Sequence, residues 1–418
     1  MKHFFKRLTA LVRKKGTLFY IGAIIILSLY PRLWMLSQKP PIIVDEAANL
    51  RMIHSILKNE SLSPLEFHWD FSKTILTYYP SILLIKLFGN SNDLYFLRLT
   101  SLIYSLVALI PFFLLTRRLT NNVIAFAVTL LFGSSYYFLQ FSRVGWVDIV
   151  FTTTLGLFLI LFLQKAFEDK KSVRLIWIVV SGMTAGIIFY AYRGANVLIS
   201  LSFLYLTFLQ FTSHISFKKS FMTFILFFFT FLFVSLPWLI KISKNSDKYN
   251  LRANVVYIKN ARLPYHGLSF KEDLTKYQIL TSIKSWILLE GVIGGNEETP
   301  RYLPETFPPL NFFIRISFWA GAIISMLSYR NFKKTGFWLL IIITTIIFCQ
   351  ILTVHPPNGA RALLMLPSYY IIAATFFNKI YEISAKNKIV LTIIILLSLF
   401  FSLQDFLFYQ FWMEWITV

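Results

Sequence analysis

Charge is scarce in this sequence: only 14% of its 418 residues are Asp, Glu, Lys or Arg, against about 25% in a typical soluble domain. Cysteine is scarcer still. A single Cys349 lies inside an apolar stretch, which excludes a disulfide framework and a Cys-based metal site. The sequence carries no HExxH, no paired His and no Cys/His cluster, so nothing in its spacing demands a metal or other cofactor. Nucleic-acid-binding motifs are also missing. The excess of 41 Lys and Arg over 19 Asp and Glu, a net charge of +22, therefore reads as membrane topology and anionic-lipid contact and not as nucleic-acid binding. What is present is apolar: 56% of the residues, 44 of them Phe, with a mean hydropathy of +0.64. Apolar stretches long enough to cross a bilayer recur from residue 17 to residue 408. The expected fold class is an all-α polytopic membrane protein.

Met1 to Gly16 carries six Lys or Arg ahead of the apolar run Thr17 to Leu36, with no small-x-small cleavage site, and this reads as a retained signal anchor. At about 20 residues per span, spans are predicted near 17–36, 98–116, 122–141, 147–164, 175–191, 195–211, 220–240, 311–329, 336–353, 361–378 and 388–408. That gives about eleven transmembrane helices. Thr74 to Phe88 is apolar but short, contains Pro80 and carries Lys86, and is expected to lie at the interface or re-enter. Charge decides this assignment. With a cytoplasmic N-terminus and a non-spanning 74–88 segment, the cytoplasmic links hold Arg117-Arg118, Lys165/Lys170/Lys171/Arg174, Lys218-Lys219, Arg330/Lys333/Lys334 and Lys379/Lys386/Lys388, whereas the short outer links hold only Arg143, Arg193 and Arg361. Sixteen of the nineteen carboxylates then fall on or near the outer side, as do two long segments, 37–97 and 241–310. Long loops in compact proteins are usually functional or disordered, and the Trp, Pro and alternating apolar residues of these two favour order. Chemistry is expected on the outer face of a multi-pass cell-membrane protein, with juxtamembrane helices there.

Asp45-Glu46 follows Pro40-Pro41 and opens the helical pattern Ala47, Leu50, Ile53, Ile56, Leu57, with Arg51 and Lys58 on the opposite face. This is an amphipathic interfacial helix with an acidic first turn, and its carboxylates taken alone do no more than complement the helix dipole. Asp148 stands at the boundary of two spans in Arg143-Val-Gly-Trp-Val-Asp148, where a carboxylate is costly and marks function, or else an ion pair with Arg143. Arg193, Arg301 and Arg361 share a similar outer depth. A guanidinium can clamp a phosphate through two parallel hydrogen bonds; each one singly could instead snorkel to headgroups. His355 reads as a hydrogen-bonded structural histidine. Asn59-Glu60-Ser61 is a chance match to a glycosylation acceptor, and Phe221 to Phe233 is lipid-facing or packing surface.

In the order of these features the chain resembles the membrane glycosyltransferases of the C-type fold, in particular the protein O-mannosyltransferase and aminoarabinose-transferase relatives. The resemblance rests on Pro40-Pro41-Ile-Ile-Val-Asp45-Glu46-Ala47, on Leu87-Phe88-Gly89-Asn90-Ser91 and Leu97-Arg98-Leu99, on Arg117-Arg118, and on Arg143 with Asp148. It is good through about residue 200 and thins beyond, where Tyr190 to Ala195, containing Tyr192, and Pro300-Arg301-Tyr302-Leu-Pro304 still match. It implies a transmembrane glycosyltransferase module over 1–240 with its first outer loop at 37–97, an outer loop at 241–310, and C-terminal transmembrane helices over 311–418. It also implies sugar transfer, with inversion, from a polyprenyl-phosphate carrier to an outer-face hydroxyl of an acceptor that is a lipid, a glycan or a protein. The matching parts would be Asp45 as general base, Glu46 and Asp148 positioning hydroxyls, Arg193, Arg301 and Arg361 on the donor phosphate, and Arg143, Tyr192 and His355 in support. Arg alone can neutralise that phosphate, so no metal is required. Two rival readings are a transporter or flippase, disfavoured by the lack of internal repeats, and a non-catalytic assembly protein.

Overall fold

The computed structural model describes residues 2–58, 63–89, 92–168, 173–212, 216–257, 271–290, 307–353 and 358–415. Among them regular structure is helical, because a chain this apolar must satisfy its backbone groups within each segment. The helices are α1 (Lys2–Leu33), α2 (Val44–Lys58), α3 (Tyr79–Phe88, entered through a 3-10 turn at Leu76–Tyr78), α4 (Asp93–Leu119), α5 (Asn122–Ser134), α6 (Tyr136–Arg143), α7 (Val147–Ala166), α8 (Leu175–Ala191) and α9 (Ala195–Thr212). They continue with α10 (Phe217–Lys244), α11 (Ser246–Val256), α12 (Lys271–Ser282), α13 (Phe312–Leu327), α14 (Tyr329–Ile346), α15 (Gly359–Ala362), α16 (Leu366–Ile383) and α17 (Lys388–Trp415). Helix starts follow local chemistry. Asn121 and Asn311 each turn a side-chain oxygen onto the free N–H groups of the first turn, of α5 and α13 respectively.

Every predicted span falls on a helix, but the number eleven is not matched by length and apolarity. Among the described residues seven helices are long and apolar enough to cross a membrane, or eight if the pair α5 and α6, bent by 57° at Ser135, counts as one span. The bend has a local cause: the Ser135 side chain accepts from Phe138 N at 3.2 Å and starts a new helix there. Helices α8 and α13 are shorter apolar helices, and the predicted span 361–378 is divided between α15 and α16. Leu76 to Phe88 is likewise short. At about 1.5 Å per residue it falls well below the bilayer core.

The main core runs through α4, α5, α7, α13 and α16, with Phe112, Phe132 and Phe138 stacked in series at 4.3 and 4.4 Å. The Phe-rich run of α10 divides by face: Phe227 is buried while Phe229 and Phe233 are exposed. Its close approach to α8 depends on Gly182 and Gly186, four residues apart. A Cβ at Gly182 would run into Thr230 Oγ1 and sit 2.6 Å from the Phe227 carbonyl oxygen, backbone that cannot yield. Gly182→Val is therefore expected to destabilise the protein by about 1–3 kcal/mol through overpacking, read as a lower thermal midpoint in detergent, whereas Met183→Val, on the exposed face of α8, leaves it nearly unchanged.

Candidate active site

Four segments distant in sequence contribute to the site: the 37–89 region, the start of α7, and the turns around residues 190 and 358. The loop 67–74 closes on itself, His68 N donating to Lys73 O at 2.9 Å, with an isolated bridge between Phe67 and Thr74. Thr74 N then donates to Tyr190 O at 3.0 Å, which docks the loop on the end of α8. Lys73, the last residue inside this loop, is carried into the interior.

There the Lys73 ammonium lies 2.7 Å from Asp148 Oδ2 and 3.4 Å from Asp70 Oδ2, and all three side chains are largely or wholly buried. Asp148, in the first turn of α7, also accepts from the Tyr78 hydroxyl at 2.7 Å. Asp70 is fixed by Ser72, whose N and Oγ both donate to Oδ1 at 3.0 Å. Beyond it His68 places Nδ1 3.2 Å from Asp70 and Nε2 2.9 Å from Asn49 Oδ1. The Asn49 amide nitrogen is committed to Gly145 O at 2.9 Å, so its oxygen must accept, and Nε2 of His68 carries the proton. Trp69 Nε1 donates to the same oxygen at 2.9 Å. The His68 ring stacks on Tyr78 at 5.2 Å, which closes the network into a ring.

The charges in this network set one another. Burial alone would lower Lys73, but Asp148 and then Asp70 outweigh it and hold the ammonium above its ordinary pKa. Burial would raise Asp70; Lys73 and the Ser72 N–H reverse that and hold it well below the carboxylate range. Burial, reinforced by Lys73, pushes His68 down and keeps it neutral. A raised Lys contributes stability below its unfolded pKa of about 10.4, and a depressed Asp contributes it above about 3.9. The Lys73 and Asp70 contributions are thus both present between about pH 4 and 10 and are lost outside that window.

Asp45 and Glu46 are neighbours with opposite surroundings. Glu46 is fully buried and every acceptor position is used: Oε1 takes Arg98 Nε at 2.7 Å and Gly145 N at 2.6 Å, while Oε2 takes Arg98 Nη2 at 2.8 Å and Ile43 N at 3.1 Å. It cannot position an acceptor hydroxyl; it ties α2 to α4 and to the turn before α7. Asp45 is partly exposed, and its charge, after burial and those of Asp148 and Asp70, helps to raise the Tyr78 phenol. The alternative of an Arg143–Asp148 ion pair is not what forms. Asp148 pairs with Lys73, and Arg143 donates instead to the carbonyls of Trp34 and Lys39.

The predicted arginines separate. The Arg361 guanidinium donates to Thr353 Oγ1 at 2.7 Å, and its charge opposes the rise that burial imposes on the Tyr192 phenol, on which Cys349, Asp148 and Lys73 act more weakly. Tyr192, predicted as a support, is thus within electrostatic reach of both cations. Arg361 is placed by α15, which Asn358 caps at 3.0 Å, and Asn358 is held in turn by both ends of the Gln350 amide, at 2.8 and 3.0 Å. Gln350 lies in a π-helical turn, Ile347–Ile351, that extends α14. Arg193 is drawn away: its guanidinium donates to Tyr249 O at 2.8 Å and Asn250 Oδ1 at 3.0 Å and stands 4.5 Å over the Tyr249 ring. Arg301 and His355 lie outside the described residues. Among the described residues no three of His, Cys, Asp and Glu group as metal ligands would.

Sequence reasoning missed Lys73, Asp70, His68 and Tyr78. Their one signal was four polar or charged residues packed into Phe67-His68-Trp69-Asp70-Phe71-Ser72-Lys73, directly before an apolar helix.

No protein-family model and no curated protein matches the sequence. Solved structures do match. ArnT from Cupriavidus metallidurans, bound to undecaprenyl phosphate, aligns with a TM-score of 0.57 at 12% identity over 88% of this chain and 61% of that one. The Archaeoglobus fulgidus oligosaccharyltransferase tethered to an acceptor peptide with an NVT sequon gives 0.56 at 12% identity over 97% and 56%. Its complex with Zn and sulfate gives 0.56 at 14% over 94% and 53%. The chain thus spans between about half and three fifths of the length of these structures. Seven or more apolar helices, no strand among the described residues, and these superpositions give the chain the C-type glycosyltransferase fold of a multi-pass membrane protein.

Proposed function

We propose that the protein transfers a sugar from a polyprenyl-phosphate carrier to an acceptor hydroxyl, inverting the anomeric carbon. The observation that carries this reading is a buried ammonium, Lys73, set between Asp148 and Asp70, with the Arg361 charge acting on the same Tyr192 phenol and a third carboxylate, Asp45, partly exposed in the first turn of α2. The fold supports it, since one structure sharing it holds undecaprenyl phosphate and another an acceptor peptide.

Glycosyl transfer with a phosphate leaving group has two demands. Asp45 meets the first, taking the proton of the acceptor hydroxyl as its oxygen bonds the anomeric carbon. The bond from that carbon to the phosphate oxygen breaks, and the electron pair leaves with the phosphate. Lys73 and Arg361 meet the second demand. An ammonium has three N–H donors; Lys73 spends one on Asp148, pairs by charge with Asp70 at 3.4 Å, and a remaining donor serves the departing oxygen. Asp148 fixes Lys73 and Tyr78, and Glu46 fixes α2 and with it Asp45. Arg301 stays a candidate phosphate ligand and His355 a supporting residue.

Arg361→Lys keeps the charge but loses the bidentate fork, and is expected to weaken donor use about tenfold or more, one lost charge-assisted hydrogen bond costing about 1.5–3 kcal/mol. Arg193→Lys is expected to leave donor dependence nearly unchanged, because its guanidinium is spent on Tyr249 and Asn250. Donor titration in a transfer assay separates them; equal losses in both would return the phosphate role to Arg193 as well.

The site is assigned to the outer face, with a cytoplasmic N-terminus and an outer C-terminus. Single cysteines at Thr120 and at the exposed Lys248 of the outer segment 241–310, in a chain whose Cys349 is replaced by Ser, are expected to react with impermeant maleimide from opposite sides of the membrane. Labelling of both from one side contradicts this topology.

A further inference from the structure

Three guanidiniums lie wholly inside the protein behind Glu46: Arg32, Arg98 and Arg143. Arg98 is balanced, donating twice to Glu46 and once to Leu36 O at 3.0 Å. The other two have no carboxylate partner among the described residues. Arg32 donates Nε to Ser105 Oγ at 2.9 Å and Nη1 to Ser28 O at 3.0 Å, with its Cζ 5.4 Å over the Phe138 ring. Arg143 spends Nη2 on the Trp34 and Lys39 carbonyls, and its Cζ stands 5.3 Å over Trp34 and 5.1 Å over Tyr409. Arg32 Nη2 and Arg143 Nε and Nη1 remain, all buried and without an acceptor among the described residues.

Arg32 and Arg143 lie along one seam: Arg32 stands over Phe138 of α6, the helix that ends at Arg143, and Arg143 donates to the carbonyl of Trp34, two residues after Arg32. Like charges inside a membrane protein, away from bulk water, are costly, and buried N–H donors without acceptors add to that cost. Aromatic faces and carbonyl dipoles answer only part of it. Water would accept the N–H groups but leave the net charge. An anion answers both. The surroundings favour a small one, because aromatic rings crowd this end of α1: Trp34, over which Arg143 stands, packs on Phe406 at 6.4 Å and Phe406 on Tyr30 at 5.9 Å.

We propose that Arg32 and Arg143 bind one small inorganic anion, of the halide or oxyanion class, through Arg32 Nη2 and Arg143 Nε and Nη1. The anion completes the charge balance behind the turn 34–43, whose carbonyls and amides Arg98, Arg143 and Glu46 already hold. This site is separate from the Lys73 and Arg361 group and does not depend on the transferase reading.

The test uses the whole chain in neutral detergent, exchanged into gluconate and titrated with chloride at constant ionic strength. Radioactive chloride is expected to bind saturably at one per chain and to raise the thermal midpoint with the same saturation. Arg32→Gln is expected to abolish both effects, and Arg361→Lys to leave both intact. Absence of saturable binding, an equal response in Arg32→Gln, loss of the response in Arg361→Lys, or a rise in midpoint only on adding phosphatidylglycerol would each overturn the proposal. If Arg32→Gln does not fold, crystals of the unaltered protein grown with bromide decide: an anomalous peak beside the Arg143 guanidinium supports the site, and none there overturns it.

Discussion

Asp45→Asn is expected to lower single-turnover sugar transfer by at least about 10²-fold while leaving folding and donor binding intact. An acceptor hydroxyl is a poor nucleophile at neutral pH, and its proton must leave as the new bond forms. The amide keeps the size of the carboxylate but cannot take that proton. Asp45 makes this a clean test, because it is the partly exposed member of the acidic pair, whereas Glu46 is built into the frame. Glu46→Gln should behave differently. It leaves the Arg98 guanidinium buried without its counter-charge, so it lowers the yield of folded protein and the thermal midpoint. Loss of transfer in Glu46→Gln at a normal midpoint, with Asp45→Asn active, would exchange the two roles.

The second large effect is expected at Lys73. Removing one member of a buried ion pair leaves the other uncompensated and typically costs about 3–5 kcal/mol. Lys73→Met strands both Asp148 and Asp70, so a fall in stability of that order is expected, together with loss of donor binding. The two consequences separate in a double variant. Lys73→Met with Asp148→Leu removes both charges of the shorter contact and should recover part of the stability without any of the activity. Recovery of transfer in the double variant would assign Lys73 to the frame alone. Single-turnover transfer and thermal midpoints, measured on the same preparations, give the answer.

How far the sequence disclosed this arrangement depended on whether the deciding contacts were local. The long apolar runs needed no partner to be read, since bilayer thickness alone sets their length. The bend at Ser135 was hidden because hydrophobicity continues unbroken through Tyr136 to Phe138, and only the hydroxyl of Ser135 marks a new helix. Asp45 and Glu46 are equivalent as letters. One helical step of about 100° carries Glu46 onto Arg98, 52 positions away, and leaves Asp45 partly exposed. Asp148 was legible as a carboxylate without a solvated loop, but its partner was not, because Lys73 lies 75 positions earlier and Arg143 only five. Arg193 and Arg361 had the same apparent depth. Tyr249 and Asn250 claim one, while the Gln350–Asn358 clasp fixes the turn that carries the other, and neither contact has a signature in sequence.

The central claim is that the bond between a sugar and a polyprenyl phosphate is broken here and remade to an acceptor. It is tested most directly by incorporating the purified protein into liposomes with a panel of polyprenyl-phosphate sugars labelled in both the sugar and the lipid, together with candidate acceptor hydroxyls. The predicted result is that, for at least one donor, the sugar label leaves the lipid and appears on the acceptor with inverted anomeric configuration. Acceptor-free controls and the Asp45→Asn protein should leave both labels on the lipid. Movement of both labels together across the bilayer, with the bond between them intact, would contradict the account and identify a lipid carrier in place of a transferase.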